Sequence, residues 1–130
     1  MKPELTYLVL VTALTGVMWI PYVLDRAAEW GIPDTVGYPE TPKAQTPWAK
    51  RMKAAHANAV ENLVIFATLV LVASAADISN ETTVFAAALY FWSRLIHLVA
   101  YTFAVPWVRT LAFAGGFAAQ VMLVWELAGH

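Results

Sequence analysis

Cysteine is absent from this chain of 130 residues. That absence removes disulfides, thiolate metal sites and a protein thiol nucleophile, so any sulfur chemistry must arrive on a ligand. Charge is nearly as scarce. Asp, Glu, Lys and Arg make up 13% of the chain, roughly half the usual quarter, and the net charge of −1 comes with no basic stripe. These facts exclude a nucleic-acid binder and a disordered chain. They also exclude an ordinary soluble domain. A domain this small needs a polar skin, and eight Lys/Arg with nine Asp/Glu do not supply it. Apolar residues are abundant instead, at 60% against roughly 45–50% in average soluble proteins. The composition is that of an integral membrane protein.

Residues 5–24 form a run of 20 without a formal charge. At 1.5 Å per residue this is about 30 Å, the thickness of one bilayer core. No small-residue cleavage site follows it, so the run reads as a retained first helix whose last turn Pro21 kinks. The stretch 25–46 carries Gly31, Pro33, Gly37, Pro39 and Pro42 and is expected to be a loop. Thr46-Pro47 reads as an N-cap followed by proline at the first helical position, opening a second helix over 47–76. A polar turn at 77–81, with Ser79 or Asn80 as cap, leads into a third helix over 82–104. Val105-Pro106 breaks it, and a fourth helix runs over 106–128. Ala112, Gly115, Gly116 and Ala119 give that last helix a small-residue stripe that allows close approach by a neighbour. The expectation is a single all-α integral membrane domain, a bundle of four transmembrane helices without internal repeats.

Basic residues set the orientation. Arg26, Lys43, Lys50, Arg51 and Lys53 lie in 25–53, whereas the opposite side has Lys2 alone. The long loop is therefore expected in the cytoplasm and both termini outside.

Within the spans, charged residues are costly, about 2.5–3.5 kcal/mol each on insertion scales, and are functional candidates by default. Glu61, Arg94 and Arg109 are such residues, accompanied by His56, Asn58, Asn62, His97 and Tyr101. Asn58 and Glu61 are spaced i, i+3. Arg94, His97 and Tyr101 are spaced i, i+3, i+7, again one face. Connectivity puts both stripes, with Arg109, in the cytoplasmic half of the membrane. A cytoplasm-facing intramembrane pocket for a small anion that also carries an amine would use them. A plainer reading stands beside it: Glu61 and Arg94 as a buried ion pair that only sets helix register. His97 also reads as an interhelical hydrogen-bonder, and His56 as an interfacial residue. Lys50, Arg51 and Lys53 also read as plain positive-inside charges. Trp19, Trp107 and Trp125 read as interfacial anchors, a reading also open to Tyr101, and Asp77, Glu81 and Glu126 as solvated ends. No metal spacing is present: His56, His97 and His130 are far apart.

The run Arg51-Met52-Lys53-Ala54-Ala55-His56-Ala57-Asn58-Ala59-Val60-Glu61-Asn62-Leu63 resembles the helix 2 signature of the membrane-associated proteins in eicosanoid and glutathione metabolism, the MAPEG family. Arg94-Leu95-Ile96-His97-Leu98-Val99-Ala100-Tyr101, followed by Arg109, resembles its helix 3–4 signature. In length the chain is similar to small bacterial-type members. The resemblance implies a homotrimer of four-helix subunits with glutathione at the subunit interfaces. It implies glutathione contacts for Asn58, Glu61, Arg94 and Tyr101, a place beside them for His97, and basic positions at the pocket mouth for Arg51 and Lys53. It assigns Arg109 to the glutathione thiolate; Tyr101 is an alternative or additional hydrogen-bond donor to sulfur. Ala54 stands where active relatives commonly carry arginine, and Ile65 where many carry proline.

Together these imply a membrane-embedded transferase or peroxidase. It would conjugate or reduce a lipophilic electrophile from the bilayer with glutathione, at a cytoplasm-facing site (in the inner membrane, for a bacterial chain). The alternatives are a non-enzymatic structural or lipid-binding subunit with the same fold, and a small transporter. For the last, the repeat and broken central helix are missing.

Overall fold

A computed structural model describes residues 1–129, and His130 lies outside the described residues. Six helices follow in order: α1 (Pro3–Val17), α2 (Trp19–Trp30), α3 (Ile32–Val36), α4 (Pro47–Ala75), α5 (Glu81–Thr102) and α6 (Pro106–Ala128). Four segments are long and apolar enough to cross a membrane: Pro3–Trp30, Pro47–Ala75, Glu81–Thr102 and Pro106–Ala128. The chain is an integral membrane protein of the four-helix-bundle class.

The first span is two helices in near continuity. Proline has no N–H to give to the carbonyl four residues back, and for Pro21 that carbonyl belongs to Val17, where α1 ends. Met18 bridges the break with helical angles, φ −62° and ψ −24°. Pro21 therefore acts one turn upstream of its own position, and the helix continues beyond residue 24. Within 25–46, expected to be a loop, residues 25–30 are helical, the helix stopping at Gly31, whose φ of 81° favours glycine, and Ile32–Val36 add the short helix α3, with Pro33 in its first turn. Arg26 lies 4.8 Å over the Trp30 ring in this last turn.

Thr46 and Pro47 open α4 as the cap and first position. At its other end Asp77 takes φ 55°, and Ile78 N donates to Ala73 O at 2.9 Å, closing the helix. Asn80 caps α5 in a reciprocal box with Thr83, each side chain bonding the other's backbone. Helix α5 stops at Thr102, slightly short of the expected 104, because Ala104 turns to φ 60° and Val105 N bonds Ala100 O at 2.8 Å.

Helices α5 and α6 pack closely along the small-residue stripe, side chains of α5 lying directly against the glycines of α6. A Cβ on Gly115 would lie 2.5 Å from Ser93 Oγ, and one on Gly116 would lie 3.4 Å from Arg94 Cδ. Lipid tails are as apolar as leucine, so such close van der Waals fit is what joins helices in a membrane. The core lies around Phe66 and Tyr90, stacked at 3.9 Å, with Val11, Val70, Ala119 and Leu123 against them. Trp107 and Trp125 stand outside, near the helix ends.

The end of the bundle opposite the long loop is tied by polar groups. Glu4, 3% exposed, accepts from Thr83 Oγ1 at 3.0 Å. Asn80 Nδ2 donates to Glu126 Oε1 at 2.7 Å, so Glu126 is a tethered side chain and not a plain solvated end. Lys2 pairs with Asp77 nearby.

Candidate functional site

Three helices bring polar side chains together toward the long-loop end. Helix α4 supplies Arg51, Asn58 and Asn62; α5 supplies Arg94, His97 and Tyr101; α6 supplies Arg109 and Thr110 near its start. Gly116 lets α6 sit against the stem of Arg94, so the guanidinium is directed toward α4. There Arg94 Nη2 donates to Asn58 Oδ1 at 2.7 Å.

Arg94 is 4% exposed, and its Nε has no hydrogen-bond partner. Among the described residues no carboxylate pairs with it; the one ion pair is Lys2–Asp77. Glu61 lies exposed on α4, so the Glu61–Arg94 pair is not formed. A buried cation with a single neutral acceptor is unfavourable in an apolar medium unless an anion joins it.

Beside Arg94 a cavity of about 240 Å³ is lined by Asn58, His97, Tyr101, Arg109, Thr110 and Phe113. His97 is 3% exposed and packs edge-on to Tyr101 at 5.5 Å and near Phe113. The Arg109 guanidinium lies 5.0 Å over the Tyr101 ring, a contact that contributes about 0.5–1 kcal/mol where exposed. A second cavity of about 170 Å³ holds Arg51 and shares Tyr101 and Arg109 with the first. Arg51 Nε donates to Thr102 O at 2.9 Å, which places its guanidinium at that mouth. The two cavities meet at the Tyr101–Arg109 pair. Their walls bring guanidinium, hydroxyl and amide groups together without a carboxylate, which is the chemistry of an anion site.

The structure thus gathers Asn58, His97, Tyr101 and Arg109 around one space, sets Arg94 behind Asn58, and puts Arg51 at the adjoining mouth. Lys53 and Glu61 are exposed on α4 and line neither cavity. His56 is elsewhere, hydrogen-bonded through Nδ1 to the Tyr22 hydroxyl at 2.7 Å. Sequence reading overlooked Gln120 and Thr110. Gln120 is the lone amide in the apolar run of α6, which was signal enough. Thr110 beside Arg109 gave none.

A larger hollow of about 460 Å³ lies between α2, α4 and α5, lined by Pro21, Trp48, Met52, Leu98, Val99 and Phe103 together with Thr102. It has no titratable group and is a surface for apolar matter. Among the described residues no three metal-ligating side chains gather.

One comparison bears on the whole chain. The model of the MAPEG family matches residues 5–129. No curated protein and no solved structure matches the chain.

Proposed function

Because this chain belongs to the MAPEG family, we propose that it is a membrane-embedded enzyme. It uses glutathione to conjugate or reduce a lipophilic electrophile that enters from the bilayer. The family supports a glutathione-related membrane function in general terms. The observation that carries the finer reading is Arg94, a buried guanidinium without a carboxylate, set behind a cavity walled by donors.

The residues fit glutathione, an anionic peptide with two carboxylates, an amine and a thiol. Arg94 with Asn58 would take one carboxylate, and Arg51 at the adjoining mouth another. When bound, glutathione supplies a thiol that acts as nucleophile or reductant. A free thiol titrates near 8.5 and is mostly protonated at neutral pH. Arg109 holds negative charge at sulfur, and each unit by which it lowers the thiol pKa contributes about 1.4 kcal/mol. Tyr101 fixes the Arg109 guanidinium by its ring and adds a hydroxyl donor. Phe113 and His97 exclude water from the inner wall. The site faces the cytoplasm on the positive-inside argument, so the peptide enters from water and its partner from lipid.

A homotrimer belongs to the same reading. Glu61 is exposed within an apolar span, where an uncovered carboxylate is costly. A second copy placed over that face covers it and brings Glu61 toward the ligand's amine.

Titration of the detergent-purified protein with glutathione, followed by thiolate absorbance, tests this reading. The parent is expected to bind and to develop thiolate at neutral pH, and Arg109→Ala to bind with the midpoint of thiolate formation raised by at least about one pH unit, a tenfold change in the ionisation constant. Absence of binding, or thiolate formation unchanged by the substitution, overturns it.

A further inference from the structure

Gln120 is buried in α6, 5% exposed among Ala119, Gly116 and Leu123. Its Nε2 donates to Asn62 O at 3.3 Å and lies 3.5 Å from Asn62 Oδ1. Asn62 Nδ2 in turn donates to Asn58 O at 2.9 Å and reaches Asn58 Oδ1 at 3.4 Å. The same Oδ1 receives Arg94 Nη2 at 2.7 Å. Three amides on two helices therefore run in series to the guanidinium.

The direction of this chain is forced by chemistry. A guanidinium carries donors only, so Asn58 must turn its oxygen to Arg94. Asn62 Nδ2 reinforces that choice by donating to the same oxygen. Gln120 reinforces it again, because its donor occupies the oxygen side of Asn62 and leaves the Asn62 amide nitrogen to face Asn58. The Asn58 NH₂ is then the group without an acceptor among the described residues, on a residue that lines the cavity. With the opposite flip, Asn58 would offer its oxygen there and repel a carboxylate.

We propose that Gln120 and Asn62 are positioning residues that hold the Asn58 amide in one orientation, making the cavity wall a set of donors that selects an acceptor-rich anion. This rests on the reading of the cavity as a glutathione site and names what sets its selectivity. Neither residue touches the ligand; both act through Asn58. Buried amides in series polarise one another, so loss of any member weakens the whole.

The experiment measures glutathione affinity, KM and kcat in detergent for the parent, Gln120→Leu, Asn62→Ala and the double variant. Glutarate, a dicarboxylate without a thiol, serves as a second probe. Gln120→Met, of equal length but without a donor, stands in if the leucine variant does not fold. Each single change is expected to weaken binding about fivefold, near 1 kcal/mol, raising KM with kcat unchanged. The double variant is expected to be no weaker than about tenfold, because the two act in one chain. A purely structural role would lower the unfolding midpoint and leave the affinity of the folded protein as in the parent. That result, or a double variant weakened about 25-fold as for independent sites, overturns the proposal while the glutathione reading stands. If the parent binds glutarate but not glutathione, the glutathione reading fails and the same ratios, read with glutarate, decide the positioning role. A parent that binds neither overturns both.

Discussion

Replacing Arg94 by methionine separates a residue kept for a ligand from one kept for the fold. Methionine preserves most of the stem that packs against Gly116 and removes the charge. In the ligand-free protein the guanidinium makes one charge-assisted hydrogen bond, to Asn58 Oδ1 at 2.7 Å. That bond contributes about 1.5–3 kcal/mol. Against it stands the cost of an arginine inside the membrane, about 2.5–3.5 kcal/mol on insertion scales, with no carboxylate to offset it. Asn58 keeps a partner in Asn62 after the change. The difference makes Arg94→Met neutral or more stable by about 2 kcal/mol at most. With ligand the ranking reverses, since ligand at a hundred times its Kd stabilises the parent by about 2.7 kcal/mol and the variant not at all. Unfolding in mixed micelles of increasing SDS fraction, with and without glutathione, reads both numbers. A ligand-free loss above about 2 kcal/mol in Arg94→Met, or equal protection of both proteins by glutathione, refutes the reasoning: Arg94 would then be a structural residue.

Two further outcomes follow from the packing and from the exposed ion pair. Gly115→Val is expected to force α6 away from Ser93, whose Oγ lies 2.5 Å from the new Cβ, at about 1–3 kcal/mol; Gly16→Ala, with nothing within 4 Å, is expected to be neutral or to gain up to about 1 kcal/mol, and the same SDS titration compares them. Asp77 is held below its ordinary value of 3.8 by the hydrogen bond and charge of Lys2. A depressed folded-state value means that the pair's contribution is full above the unfolded carboxylate pKa and disappears as pH falls through the depressed one. Carboxyl-carbon NMR of Asp77 is expected to titrate below pH 3.8 in the parent and to return toward that value in Lys2→Ala; an unchanged titration refutes the pairing.

The membrane class was legible because it rests on composition and on uninterrupted apolar length, and neither requires knowledge of packing. Helix starts at Pro47 and Pro106 were legible too, since proline at a first turn is a local steric fact. The end of the first span was not. Proline acts on the carbonyl four residues back, so the mark at Pro21 sits away from the break at Val17, and the polar residues Asp25, Arg26 and Glu29 resembled a loop although helix geometry continues to Gly31. At the site, the i, i+3, i+7 spacing of Arg94, His97 and Tyr101 defined a shared face. Which partner each side chain takes depends on the angle between helices, which no spacing within one helix contains. Hence the Arg94 acceptor is Asn58 and not Glu61, and Gln120, in a different helix from the motif, escaped notice.

Among the described residues two charged side chains, Glu4 and Arg94, are buried almost completely, and their contrast argues for a ligand more strongly than either alone. Glu4 sits at the N-terminus of α5, where Thr83 at the third helical position gives it a hydrogen bond at 3.0 Å. Its second oxygen makes none, yet a helix N-terminus carries about half a positive charge and acts on the whole carboxylate. This charge is compensated within the fold. Arg94 has nothing equivalent. It lies within α5 away from either end, so no terminal dipole faces it, and the cavity lined by its acceptor Asn58 carries a second guanidinium, Arg109. A sequence selected for stability alone would place methionine or leucine here, because among the described residues one hydrogen bond to a neutral amide is all that offsets the charge. Its presence is explained if the compensating anion comes from outside the chain and leaves again, as a substrate must.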